Sequence, residues 1–281
     1  MTMDIGLALP TTVPDVTGER LIEWARRADR LGFSTLGALD RVAYPNYESL
    51  LALTAAAAVT ERIKLATTIL IAACRDSTLL AKQLATLDHL AGGRLVVGLA
   101  SGDREDDFTA TGTSFAGRGK RLDTVVRELR AAWSEASAGL RPAHPPSLLI
   151  GGHSQAAMRR SARVGDGWIG GGSSVSRYAD LAARVRDEWR RQGRTRAPRL
   201  LALSYVALGP GGREHAERYL RSYYAFIGDK AELVVSGVAT EPGRLRELVR
   251  GYAEAGCDEL ILLPCAADPG QVDLIAEAAL S

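Results

Sequence analysis

The sequence has no glycine-rich dinucleotide fingerprint after its first apolar run, no phosphate-binding P-loop, no nucleophile elbow and no zincin helix motif. These absences remove the usual grounds for nicotinamide, nucleoside triphosphate, serine hydrolase and zinc protease chemistry. Cysteine is scarce: Cys74, Cys257 and Cys265 are odd in number and share no CxxC spacing. They form neither a disulfide framework nor a zinc knuckle, and reduced thiols in a cytoplasm are expected. No apolar run approaches the roughly 18 residues needed to span a bilayer, and Met1 to Pro10 lacks the basic start and apolar core of a signal peptide. Excess charge is missing too, since 35 Lys+Arg against 33 Asp+Glu leave only +2. Neither nucleic acid nor an anionic membrane is therefore an expected partner, whereas a small-molecule substrate is.

What the chain does have is material for a large core, with 46% apolar and 24% charged residues in 281. Short apolar runs recur at Ile5 to Pro10, Thr35 to Asp40, Lys64 to Leu70 and Leu95 to Ser101, their starts 30, 29 and 31 residues apart. That interval is one strand plus one crossover helix. Ser147 to Gly152, Asp166 to Gly172, Leu200 to Leu208 and Glu259 to Cys265 complete a set of eight. Between them lie amphipathic patterns. Leu21, Trp24, Ala25, Ala28 and Leu31 share one helical face opposite Glu23, Arg26, Arg27 and Arg30, and Gly32 stops that helix.

Alternation of strand and helix implies a parallel sheet, and eight units in a chain near the usual ~250 residues favour closure into a (β/α)8 barrel over an open doubly wound sheet. The α/β fold expected is a single domain over residues 1–281, a TIM barrel with insertions after strands 4 and 7, where the strand spacing is too long for a simple unit. Chemistry then belongs at the C-terminal strand ends.

Two glycine-rich strand ends flank a short helix between Ser147 and Ser174. Gly151 and Gly152 let the backbone approach a ligand, Ser154 caps the next helix, and its N-terminus offers unpaired N–H groups to an anion. Gly170, Gly171, Gly172 and Ser173 supply a second wall. The plain alternative is that these glycines only make tight turns. Asp40-Arg41 ends the second strand, where Arg41 either meets an anionic substrate or a cofactor's developing charge, or forms an ion pair with the Gly102 to Asp107 loop. His153, beside the cradle, is read as a donor or acid/base, or as structural. The acidic run Asp103 to Asp107 reads as a loop and not a metal site, because no spacing selects a metal. Tyr44, Tyr47, Phe108 and Phe115 either wall an apolar pocket or pack loops.

From Arg62 to Trp133 the stretch LLAKQLATLDHLAGGR, then GLASGD and FAGRGKRLD, resembles the bacterial luciferase-like flavin-dependent monooxygenase and oxidoreductase superfamily, and IGGHSQAAMRRSARVGDGWI is similar to its phosphate-binding segment. The resemblance covers nearly the whole chain, most weakly from about Gly209 to Gly243. It implies a barrel holding FMN, or in related branches coenzyme F420, at the strand ends. By position the phosphate would meet Gly151, Gly152, Gly171 and Gly172, and the ring would lie near Asp40, Thr68, Ile69 and Ser101, with a cis peptide expected at Thr68-Ile69. Many deazaflavin relatives have Asp-His where this chain has Asp40-Arg41, which turns the expectation toward FMN. The expected activity is a two-component monooxygenase that takes reduced flavin from a separate reductase and acts as a homodimer, with Arg41 and His153 as the catalytic candidates. A deazaflavin-dependent hydride-transfer enzyme and a non-catalytic flavin-binding protein are the alternatives.

Overall fold

The computed structural model describes residues 3–134, 139–172 and 174–281. Its strands are β1 (Asp4–Ala8), β2 (Thr35–Ala38), β3 (Lys64–Ile71), β4 (Leu95–Ala100), β5 (Ser147–Gly151), β6 (Gly167–Gly171), β7 (Arg199–Val206) and β8 (Glu259–Pro264). Each pairs in parallel with the next, and β8 pairs with β1, so the sheet closes into the expected (β/α)8 barrel.

Helix α1 (Gly18–Leu31) follows β1, α2 (Ser49–Ala57) follows β2, and α3 (Ser77–Leu90) follows β3. Two helices, α4 (Glu105–Ala110) and α5 (Arg118–Ala132), fill the connection after β4, while α6 (Gln155–Val164) and α7 (Val175–Arg191) follow β5 and β6. The connection after β7 holds α8 (Gly212–Tyr223), α9 (Ala231–Ser236) and α10 (Pro242–Glu254), and α11 (Gly270–Ala279) closes the chain after β8. None of the described helices is long and apolar enough to cross a membrane.

Side-chain alternation divides each strand between two cores. Leu201 and Leu203 of β7 face the barrel interior with Leu149, Ile169 and Ile261, whereas Leu200 and Ala202 join Trp168, Ile150 and Leu260 beneath the helices. Both faces are apolar, which is why these runs lack the polar alternation of a one-sided sheet. Each fully buried leucine is worth about 1.5–3 kcal/mol.

The helices start and stop where local chemistry tells them to. The Thr17 hydroxyl accepts a hydrogen bond from Arg20 N at 3.3 Å, and Gly32, at φ +96°, ends α1 in the left-handed region. At the N-terminal end of the barrel the buried Glu259 carboxylate accepts hydrogen bonds from Ser34 Oγ at 2.6 Å and Thr35 Oγ1 at 2.5 Å, and pairs with Arg199. That network ties β2, β7 and β8 at the end away from the site.

Strand β2 stops at Ala38, two residues short of the Asp40 expected from the sequence. Asp40 instead turns its carboxylate toward β3, where its Oδ2 accepts from Ile71 N at 2.8 Å.

Candidate active site

The ends of β5 and β6 lie side by side, with Ile150 opposite Trp168 and Gly151 opposite Ile169. Beyond them each strand exit passes through a glycine of positive φ. Gly152 has φ +120°, and a Cβ there would stand 3.0 Å from the Ala157 methyl. Gly172 has φ +61°. Both turns lead into capped helices, since Ala157 N donates to Ser154 Oγ at 3.2 Å and Arg177 N donates to Ser174 Oγ at 3.3 Å. Two helix N-termini with unpaired N–H groups and positive dipole ends therefore sit next to each other, a ready anion site. Trp168 fixes the spacing, its Nε1 donating to Gly152 O at 2.8 Å while its ring stacks on Tyr178 of α7 at 5.6 Å.

Ser173, expected in the second wall, lies outside the described residues. A Cβ on Gly151 would crowd the Ile69 side chain, and one on Gly171 would stand 3.3 Å from Leu203 Cδ1. Gly152 and Gly172 take the positive φ at the two strand exits, and Gly172 N donates to Leu203 O at 3.4 Å.

His153 is half-buried at this cradle, its ring 6.4 Å from that of Trp168. Burial first, and the Arg177 cation second, hold its pKa below the ordinary imidazole value, against the opposing pull of Asp103 and a hydrogen bond with the Gly171 backbone. The ring is therefore neutral at neutral pH. Arg177 is a cation the sequence reading missed. It is the third residue of α7, and only the fold brings it within electrostatic reach of His153.

Round the barrel, Asp40 and Arg41 at the end of β2 meet protein partners, while Arg41 Nη1 is buried with no hydrogen-bond partner among the described residues. Asp40 accepts from Ser49 Oγ at 3.0 Å and Ile71 N at 2.8 Å, and it pairs bidentately with Arg75 at 2.8 and 2.9 Å. Arg41 Nε donates to Asp107 Oδ2 at 2.7 Å, and its Nη2 donates to Asp106 Oδ2 at 3.0 Å. The ion pair with the 102–107 loop, one of the two readings of Arg41, is present and uses two of its three guanidinium nitrogens. Asp107 Oδ1 also accepts from Val42 N and Ala43 N, both at 2.8 Å. The acidic run is therefore a clamp on the second strand end.

The Thr68-Ile69 peptide is cis. Thr68 is buried with its hydroxyl unpartnered among the described residues, and Ser101 is half-buried at the exit of β4. Ile69 packs against the barrel interior cluster, as do Leu39 and Tyr44.

Across the mouth lies an aromatic cluster that the sequence reading did not collect. Tyr205 of β7 and Tyr224 share a hydrogen bond at 3.0 Å, and the Tyr219 hydroxyl pairs with Thr12 Oγ1 at 2.5 Å. Tyr223 meets Tyr44 edge to face at 5.1 Å, with the Arg41 guanidinium 5.7 Å from its ring centroid. Burial, opposed by the bond from Tyr205, leaves Tyr224 at about 12, so its phenol stays protonated. Its hydroxyl is 3.8 Å from where a Gly172 Cβ would be, so the cluster begins at the cradle's second wall. The run RYLRSYYAF at 218–226 was the available signal.

The luciferase-like monooxygenase family model matches residues 3–261. The chain belongs to that family. An uncharacterized protein of Mycobacterium tuberculosis is 30% identical over 210 residues, 62% of this chain and 73% of that protein. The FMNH(2)-dependent dimethylsulfone monooxygenase of Pseudomonas fluorescens is 34% identical over 114 residues, 34% of this chain and 31% of that enzyme. Among solved structures, an F420-dependent secondary alcohol dehydrogenase in complex with an F420-acetone adduct superposes with a TM-score of 0.86 at 16% identity, covering 99% of this chain and 98% of that one. At that identity the likeness concerns the fold.

Proposed function

We propose that this luciferase-like barrel is a two-component FMN-dependent monooxygenase that receives reduced flavin from a separate reductase and oxygenates a small organic molecule. The observation that carries this reading is the paired-turn cradle, where Gly152 and Gly172 take positive φ and the capped N-termini of α6 and α7 converge beside Arg177. A phosphate monoester suits that donor set, with main-chain N–H groups, two serine caps and one guanidinium. Reduced FMN, when bound, supplies the electrons that activate oxygen.

The chain's own contribution is binding, orientation and water exclusion. Gly152, Gly172, Ser154, Ser174 and Arg177 would hold the phosphate, and neutral His153 would donate to it. The small and apolar residues at the barrel mouth, with Ile69 filling the space Gly151 leaves, would form the floor for a flat ring. Tyr224 and Tyr205 would roof it with protonated phenols and keep bulk water out. Asp40 and Arg41 act as positioning residues, holding the β2 end to the β3 and β4 loops.

FMN is favoured over the deazaflavin coenzyme F420 by the relative named as FMNH(2)-dependent and by Arg41 standing, in an ion pair, where many deazaflavin relatives have a histidine. Titration of the purified chain with reduced FMN and with the deazaflavin separates them. Binding of the deazaflavin alone would overturn the choice, and flavin binding without substrate-dependent oxygen uptake would leave a binding protein.

We also propose a homodimer formed through the outer face of α2 and α3. Helix α2 contains no charged residue and, apart from Ser49 and Thr54, is apolar, the pattern of a helix covered all round. Yet Leu51 of α2 is 71% exposed, and Leu79 and Leu90 of the adjacent α3 are 56% and 59% exposed. A second copy offers the same exposed leucines in return, with Lys82 the charged residue beside Leu79 on α3.

A further inference from the structure

The long connection after β7 is fixed at two places. Tyr219, Leu220 and Tyr223 of α8 are buried. Further on, Ala239 forms a parallel bridge with Val206, its N donating to Tyr205 O at 3.2 Å while Ala207 N donates to its own O at 3.0 Å. Between these anchors the 3₁₀ stretch Ala225–Lys230 has no buried residue, and Phe226 is exposed. Gly228, at φ +57° and ψ −137°, interrupts it, so it does not continue α8 as a rigid rod. A stretch with so little buried opens at low cost. Its first residue nevertheless stands at the cradle, since the Tyr224 hydroxyl is 3.8 Å from where a Gly172 Cβ would be.

Two side chains from other parts of the barrel hold this strap. Tyr205 of β7 shares its hydrogen bond with Tyr224 at 3.0 Å. Arg104, in the loop after β4, holds the other side. Its Nε and Nη2 donate to Asp106 at 3.4 and 2.9 Å, which sets the plane of the guanidinium and leaves Nη1 to donate to Tyr223 O at 2.8 Å. Tyr223 is the last residue of α8, so its carbonyl lacks an intrahelical partner and the cation sits at the negative end of the helix dipole. The same guanidinium stands 4.1 Å from the Phe226 ring centroid. One planar cation thus caps the helix that ends at the strap and grips the strap's aromatic ring, a combination that a lysine ammonium cannot reproduce.

We propose that Arg104 is a positioning residue that latches the strap 224–230 over the Gly172 side of the cradle, and that release of this latch admits the cofactor. The gating role rests on the flavin monooxygenase reading; the latch itself does not. With the latch made, Tyr224 stands against the second strand exit, and with it released the strap keeps its two anchors and swings between them.

The test is amide hydrogen exchange of the full chain without flavin, followed by stopped-flow binding of FMN. Arg104→Met keeps an apolar stem against Phe226 and removes the cation. It is expected to speed exchange in residues 224–230 about tenfold, the size of one hydrogen bond to a charged group, with the barrel strands unchanged. Arg104→Lys is expected to restore only part of the protection. Phe226→Leu, at an exposed position, removes the ring face and is expected to speed the same exchange about threefold. In stopped flow, Arg104→Met is expected to raise the association and dissociation rates of FMN by a similar factor and to change Kd by less than about twofold, because a gate acts on passage in both directions. Strap exchange unchanged in Arg104→Met and Phe226→Leu, or faster exchange spread through the whole barrel, overturns the latch. Faster strap exchange with unchanged FMN rates overturns the gating. Wild-type protein that binds no FMN while the strap responds as expected overturns the flavin reading and the gating with it, and supports the latch.

Discussion

The Arg41 guanidinium and the Asp107 carboxylate form a buried ion pair at 2.7 Å, with 3% and 0% of their side chains exposed. Arg41 is thereby drawn away from free solution, its pKa lowered by burial but raised on balance by Asp107. Breaking a buried pair from one side leaves an uncompensated charge at about 3–5 kcal/mol. Asp107→Asn keeps an oxygen for Val42 N and Ala43 N while removing the charge that faces Arg41, so it isolates the pair from the backbone contacts. Urea denaturation is expected to show a loss of about 3 kcal/mol for Asp107→Asn and a similar loss for Arg41→Gln. An Arg41→Gln protein as stable as the wild type but inactive would give Arg41 back the direct role that the sequence left open.

At the cradle, the coupling between Arg177 and His153 can be read without turnover. Because folding lowers the His153 pKa, the unfolded chain binds its proton first as pH falls. The stability this group contributes is complete above the ordinary value of about 6.5 and is lost as pH drops through the lower folded value. Arg177→Gln removes the second cause of the shift, so an NMR titration of the imidazole is expected to show its pKa rise toward the ordinary value. Inorganic phosphate at the cradle is expected to raise it in the wild type as well. An imidazole titration indifferent to both would separate His153 from the anion site.

The barrel was legible because its signal is local and repeated. Strand starts near Ile5, Thr35, Lys64 and Leu95 follow from apolar runs at crossover spacing, and the observed β1, β2, β3 and β4 begin within one residue of them. The cradle was legible in part for the same reason, since Gly152 and Ser154 mark a turn and a cap in adjacent residues. The partners of the site residues were not. Asp40 meets Arg75 across 35 positions, and Arg177 meets His153 only because β5 and β6 are neighbours. Such pairs depend on side-chain reach after the barrel has closed, and no period in the sequence encodes them. Gly151 makes a related point: that the Ile69 side chain would fill the place of its Cβ is a contact no local pattern announces.

Asp88 offers a stability test away from the site. It is a buried acid of α3, 2% exposed, whose pKa is raised by burial against the weaker pull of a hydrogen bond with the Leu95 backbone and of His89 and His144. The unfolded chain loses this proton before the folded one, so the group's contribution falls as pH rises from the unfolded value of about 3.9 through the raised folded value. Asp88→Asn can still accept from the backbone and has no charge to bury. Its melting temperature is expected to exceed the wild type's at pH 7, with the gap closing as pH approaches 4. A gap that widens toward acid would mean the carboxylate is stabilising, contrary to this assignment.

The exposed leucines of α2 and α3 decide the assembly. A charge at Leu51 costs little in a monomer, because that side chain is already 71% in water and surface substitutions of this kind usually fall within about 0.5 kcal/mol. In a dimer through this face the same charge meets its own copy across an apolar seam and must be desolvated without a partner. Leu51→Glu combined with Leu79→Glu is therefore expected to leave the melting temperature of the isolated fold nearly unchanged while halving the mass measured by sedimentation. Wild-type protein that sediments as a monomer, or a double variant that remains dimeric, would place the subunit contact elsewhere or remove it. In either case the apolar character of α2 would need a different cover.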